Sequence, residues 1–390
     1  MKKLIGTAML AALLATSAFA ELSVGVRLCQ LWTPVAYDGD DVKTGIQNPW
    51  GASRSAGFGV NWVGDDEKAG ASFSIISSAW WDSGYTWDDE KKLSGNLPIV
   101  LDGNNLIWVK PWDFIKLSLG HWDNAGDTDI TTVNTASWDW LRPNIWTEHL
   151  YSENENTGAL FQITPVEDLY IAVALPFDNW DQSYHMFEAL AADVAYTVPD
   201  VLKVMVGWRG GRNRSGRDDF ATTYKSGSDF VNVGEVDVFL SLLAVENLQL
   251  DVGARINILD SDKVDDGFSK ALVGLKAGYN ITDRFSIKAD FATKIKKTVD
   301  PEFQFGVGVG VGLTDSLSLV ADFRGQLPCN DIDPTFSFLV GLNYACSSNA
   351  AVGIGFQGKT SGAVPCFEYN NYPDNDNFAF AVPIRVNVWF

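Results

Sequence analysis

The chain has 390 residues, with 29 Lys and Arg against 49 Asp and Glu, and four Cys. An acidic balance of this size repels polyanions and excludes nucleic acid as a partner, while so few cysteines cannot form a disulfide scaffold, although an oxidising compartment would allow a bridge. Mean hydropathy is −0.02, and no long apolar run follows the N-terminal segment, which excludes a bundle of membrane-spanning helices.

In chain order, the first segment is MKKLIGTAMLAALLATSAFA. Lys2 and Lys3 give a positive start, Leu4 to Leu14 an apolar stretch too short to span a bilayer, and Ala18-Phe19-Ala20 a small-x-small cleavage pattern. Residues 1–20 are therefore expected to be a cleaved secretory signal, leaving 21–390 as one domain. With Lys2 and Lys3 gone, 27 bases face 49 acids, a net charge of −22. Cys29 lies beyond the cleavage position in a strand-like run, which argues against a lipid-anchored cysteine.

From Glu21 onward the pattern has period two, the signature of strands with one apolar face. Strands are expected to start near residues 21, 55, 69, 104, 114, 157, 168, 188, 200, 231, 248, 268, 284, 302, 316, 335, 350 and 377. In the last run Phe378, Phe380, Val382, Ile384, Val386, Val388 and Phe390 alternate with Ala379, Ala381, Pro383, Arg385, Asn387 and Trp389. Around residue 250, Leu248, Leu250, Val252, Ala254 and Ile256 alternate with Gln249, Asp251, Gly253, Arg255 and Asn257, and farther on Phe303, Phe305, Val307, Val309 and Val311 alternate with Gln304 and a row of glycines.

Short turns punctuate these runs at Gly64 to Lys68, Pro111-Trp112-Asp113, Pro165-Val166-Glu167, Pro199-Asp200, Val245-Glu246-Asn247, Thr282-Asp283, Thr314-Asp315 and Ser347-Ser348-Asn349. Between consecutive turns lie two strands joined by a longer polar loop. That asymmetry belongs to an all-β transmembrane antiparallel β-barrel with short periplasmic turns and long extracellular loops; a solenoid or propeller would show a more constant period. About 18 strands are expected, with 16 open because the early strands are interrupted by long aromatic loops. Trp62, Trp108, Trp112, Tyr170, Tyr196, Tyr279, Phe285 and Tyr344 cluster near the short turns and read as an interfacial girdle.

A final strand closing in Val-Asn-Val-Trp-Phe, with Phe390 last, resembles the C-terminal assembly signal of bacterial porins and related outer-membrane proteins. The resemblance is architectural and singles out no one porin family. It implies an outer-membrane location among outer-membrane lipid, insertion by the barrel-assembly machinery, passage of small hydrophilic solutes such as sugars or anions, and a homo-oligomer as in many porins. Strand character from Glu21 leaves no N-terminal plug, so an open lumen is expected. A surface adhesin acting through its long loops is the competing class.

Period two sorts the charged side chains by face. Arg27, Lys116, Lys203, Arg209, Arg255, Lys270, Lys276, Lys288, Lys294, Arg324 and Arg385 point inward, with Asp193, Asp237, Asp251, Asp290 and Asp322. A slip of one residue would put these charges in lipid. The resulting wall is basic although the chain is acidic, which predicts a weak anion preference unless pairs such as Arg255 with Asp251 neutralise it. The loop holding Trp138, Trp140 and Trp146 is third in order and combines indole faces with acids, a composition suited to sugar rings; a lid of packed tryptophans is the plainer alternative. Among the cysteines, Cys329 with Cys366 is the expected bridge and Cys29 with Cys366 its rival. No metal or cofactor is expected: the acid clusters Asp123, Asp127 and Asp129, or Asp260, Asp262, Asp265 and Asp266, complete no calcium loop. His121, His149 and His185 stand apart from any nucleophile motif, so no enzyme is expected.

Overall fold

The computed structural model describes residues 20–37, 42–47, 56–77, 86–87, 93–94, 99–101, 104–122, 156–176, 190–209, 234–258, 269–296, 300–327, 334–360 and 378–390. The N-terminal signal, the acid clusters, His149, His185, Trp138, Trp140, Trp146, Cys329 and Cys366 lie outside them.

Every element among the described residues is a strand: β1 Ala20–Tyr37, β2 Val42–Gln47, β3 Ala56–Gly64, β4 Ala69–Ser77, β5 Thr86–Trp87, β6 Leu93–Ser94, β7 Ile99–Leu101, β8 Asn105–Trp112, β9 Ile115–Trp122, β10 Asn156–Val166 and β11 Leu169–Pro176 come first. They are followed by β12 Ala191–Val198, β13 Leu202–Arg209, β14 Gly234–Leu242, β15 Leu248–Ile258, β16 Ser269–Thr282, β17 Phe285–Lys296, β18 Glu302–Gly312, β19 Leu317–Leu327, β20 Thr335–Ser347, β21 Ala350–Lys359 and β22 Ala379–Trp389. Starts expected from alternation fall within a few residues of these bounds, because period two reads the pleat directly.

Neighbouring strands pair antiparallel around a closed ring of 18. The ring closes at β1, which pairs with β3 from Ala20 to Leu28 and with β22 from Arg27 to Tyr37. Val26 donates its N–H to the Phe390 carbonyl at 2.7 Å and receives that of Phe390 at 3.0 Å, so the last residue is bonded into the seam. A sixteen-strand count fails on the early strands: β7 and β8 both pair with β4, in end-to-end order, and complete one interrupted strand of the ring. β2 is an extra strand on the long-loop end of β1, and β5 with β6 forms a separate hairpin.

Closure leaves no edge in lipid, where a free N–H or C=O has no partner. The outward face is apolar, with Val238, Leu240, Val252, Val307, Phe323, Val340 and Phe356 exposed, whereas Asp193, Asp237, Asp251, Arg324 and Arg385 are buried on the inward face. This outer band is the surface a bilayer requires. Trp62, Trp112, Tyr196, Tyr279 and Tyr344 are exposed outward beside the short turns. Trp108 and Tyr170 depart from the girdle: register sets Trp108 opposite the buried Ser118, and Tyr170 two residues from the buried Ala172, so both face inward. Period two fixes which residues share a face, and proximity to a turn does not. An aromatic band also marks the long-loop end, where Phe291 touches Phe303, Phe305, Phe323 and Phe336 form one run of ring contacts, Phe338, Phe356, Phe378 and Phe380 form another, and Tyr37 meets Phe380 across the seam.

All the short turns expected from sequence join the strands as read. Glu67, Asp168, Asp200 and Asn247 adopt positive φ of 53°, 65°, 56° and 63°, a conformation that short Asp and Asn side chains tolerate better than most residues. Adjacent turns are tied by side chains. Lys68 bonds Asp113, which holds that carboxyl below the usual carboxylate range, and Arg284 bonds Asp315 at 2.5 Å.

Gly120 in β9 is the tightest backbone position among the described residues. Its φ is 131°, and a Cβ there would sit 2.4 Å from the Asn105 carbonyl oxygen of β8. Gly120→Ala must both strain the backbone and push β8 away. Destabilisation of at least about 2 kcal/mol is expected, read as an earlier unfolding midpoint in urea; an unchanged midpoint would show that β8 and β9 are not packed at this distance.

Candidate functional site: the inner wall

Inward positions are set by cross-strand register, which brings alternate residues of every strand to the lumen. Asp251, Arg255, Asp290, Asp322, Arg324 and Arg385 are buried there. Lys116, Lys203, Lys276 and Lys288 are half-buried, and Arg27 is exposed. Arg209 and Lys294 occupy strand positions of the same parity, and Lys270 falls at the register shift between Ser269 and Ala271; their side chains lie outside the described set.

A row of glycines makes room for charge. On β18, Gly306 stands between Asp290 of β17 and Arg324 of β19, and Gly308 stands between Lys288 and Asp322. With no side chain in between, groups two strands apart share one patch of wall. Arg324 donates from Nε to Asp322 Oδ1 at 2.6 Å and from Nη2 to Oδ2 at 3.3 Å. That pair is inside the wall, where losing one partner would strand the other charge.

The expected pairing of Arg255 with Asp251 is replaced. Four residues apart along a strand is roughly 13 Å, too far for contact, whereas Asp237 stands directly opposite Arg255 on β14, with Nε 3.8 Å from Oδ1. Asp251 instead accepts hydrogen bonds from Ser241 Oγ and Gln249 Nε2, both at 2.6 Å. Arg385 donates to Asn343 Oδ1 at 3.4 Å.

Strand direction gives the charges an order that counting does not. At the short-turn half stand Arg27, Lys116, Lys203, Lys276, Lys288 and Arg385, with Asp251, Asp290 and Asp322 as acidic neighbours on the wall, and Lys110 of β8 joins them. Asp193 and Asp237 lie toward the long loops, as does Lys359. Lys110 and Lys359 were not among the expected wall residues, because each sits where alternation fades at a strand end. The continuation Phe356, Gln357, Gly358, Lys359 carries the signal for the second. Apolar side chains also face inward: Trp122, Leu160, Ala172, Ala174 and Ala191 form a buried cluster across β9 to β12.

Cys29 points inward from the middle of β1, opposite Asn387, with a free thiol; Cys366, its partner in the rival bridge, lies outside the described residues. The strand runs on to Tyr37, so Cys29 sits well inside it. Cys346 is free and exposed at the short-turn end of β20. His121 lies on the outward face with Nδ1 3.1 Å from Thr157 Oγ1.

A closed antiparallel ring with an apolar exterior, a charged interior and short turns at one end defines a porin-type outer-membrane β-barrel. Solved structures share this fold. OccAB4 of Acinetobacter baumannii superposes with a TM-score of 0.53 at 10% identity, covering 96% of this chain and 99% of its own. The outer-membrane channel DcaP of the same organism gives 0.50 at 9% identity, covering 96% and 99%. No protein-family model matches the sequence, and no curated protein matches it either.

Proposed function

We propose that the barrel is a water-filled channel through which small hydrophilic solutes diffuse passively, with a preference for anions, and that it is not an enzyme. The observation that carries this reading is the ring of charged side chains on the inner wall. Arg27, Lys203, Asp251, Arg255, Lys276, Lys288, Asp290, Asp322, Arg324 and Arg385 come from β1 and from strands between β13 and β22, and Lys116 and Asp193 extend the charge to β9 and β12. Ionised groups facing the interior of so wide a barrel need water beside them. Residues 1–20 serve as the export signal, Phe390 as the recognition element for assembly, and Trp138, Trp140 and Trp146 as a contact loop for sugar rings. Cys329 and Cys366 form a bridge between neighbouring long loops.

The likeness to DcaP supports the channel reading at the level of fold. Liposome swelling tests it: vesicles containing the purified protein swell in isosmotic arabinose, and those without it do not. Swelling no faster than in empty vesicles overturns the channel and leaves a surface role for the loops.

A further inference from the structure

Trp108 of β8 lies flat against the wall on the inward side. Its ring covers Gly70 of β4, where a Cβ would stand 2.4 Å from ring carbon Cζ2. One indole face is thus against backbone. The ammonium of Lys116 is 4.9 Å from the ring centroid and that of Lys110 is 5.5 Å from it.

Two like charges beside one indole repel each other, and the ring quadrupole compensates only part of that. Among the described residues neither lysine forms an ion pair. Asp113, the carboxylate at the adjoining turn, is bonded by Lys68 instead. Hydrogen-bonding groups border the two ammoniums. Ser118, directly opposite Trp108, is buried with a hydroxyl that has no hydrogen-bond partner, and Gln162, directly opposite Lys116, donates to the Tyr170 hydroxyl at 2.7 Å. The wall here carries two cations with no carboxylate among the described residues in ion-pair contact, beside neutral polar groups, and Asp113 acts on Lys110 only at longer range; an anion from the lumen completes such an arrangement.

We infer that Lys110, Lys116 and Trp108 form a binding subsite for a small aliphatic oxyanion, a solute bearing a carboxylate or phosphate group, at the short-turn end of the lumen. Both ammoniums donate to the anion. The indole holds the two donors in place while its apolar edge borders the solute's carbon chain, and Ser118 and Gln162 supply further polar contacts. The subsite rests on the channel reading only in that solute reaches it through the lumen.

Saturation-transfer NMR on the detergent-solubilised protein tests it with succinate, methylphosphonate and the uncharged succinamide. Succinate or methylphosphonate, or both, should show transfer where succinamide shows none, and the pattern identifies carboxylate, phosphate or either as the recognised group. In K110Q/K116Q the affinity should fall about tenfold or more, the order expected when charge-assisted hydrogen bonds are lost, and K110R/K116R should recover most of it. Should the double variant lose heat-modifiable mobility, K116Q alone gives the same comparison. Equal transfer from succinamide, or unchanged affinity in the folded lysine variants, overturns the subsite. A planar-bilayer recording separates the two readings: a barrel that binds succinate yet passes no current overturns the channel, and a conducting barrel whose binding ignores both lysines overturns the subsite.

Discussion

Arginine at Val307 is expected to destabilise the folded barrel by about 2–4 kcal/mol, while arginine at Ser286 costs no more than about 1 kcal/mol. Val307 is the middle residue of β18 and is 49% exposed on the outward face. Its neighbours across the ladder are Ala289 and Phe323, so the outer surface there is wholly apolar. A guanidinium placed there must enter the hydrocarbon or drag lipid headgroups inward. Ser286 is half-buried on the inner wall beside the mouth, in line with Lys288, and a cation there meets water. Urea titrations of both variants in lipid vesicles give the comparison. If the two lose the same stability, the faces of β17 and β18 have been assigned the wrong way round.

For the channel we propose, replacing Lys203, Lys276 and Lys288 together with glutamate is expected to lower the chloride-to-potassium permeability ratio on the order of tenfold. All three are half-buried on the short-turn half of the wall. Lys288 faces Gly308, which leaves its ammonium unshielded by a neighbouring side chain on β18. Fixed charge acts on permeant ions over about a Debye length, roughly 8–10 Å at moderate salt, so a basic half-wall of these positions shapes the potential there. Arg324 and Arg255 are left alone because each is paired, and removing either would strand a buried carboxylate. Reversal potentials in a potassium chloride gradient measure the ratio. An unchanged ratio in a correctly folded triple variant would mean that selectivity is set elsewhere, by the long loops or by the paired groups.

The residues show why some of the site was legible and some was not. Arg385, Arg255 and Asp251 were placed on the inner wall from alternation alone, since a one-residue error would put each in lipid. Which partner each charge takes was not readable, because Asp237 and Arg255 are distant in sequence and meet only through the register of β14 with β15. Trp108 illustrates the same limit. Sequence shows an aromatic near a turn, and only parity with Ser118 on the neighbouring strand turns it inward onto the two lysines.

The sequence by itself determined the class of fold, the strand starts, the short turns and the apolar exterior. Each of these depends on local period, turn chemistry or composition, quantities that no distant residue can alter. Only the tertiary structure decided the register of the closure at β1 with β22, the extra strand β2, the interrupted strand shared by β7 and β8, the Arg255–Asp237 pair, the gathering of bases at the short-turn end and the Trp108 platform. All of these are relations between strands. A barrel brings together residues far apart in the chain, and which ones meet is fixed by register and shear, properties of the closed sheet as a whole.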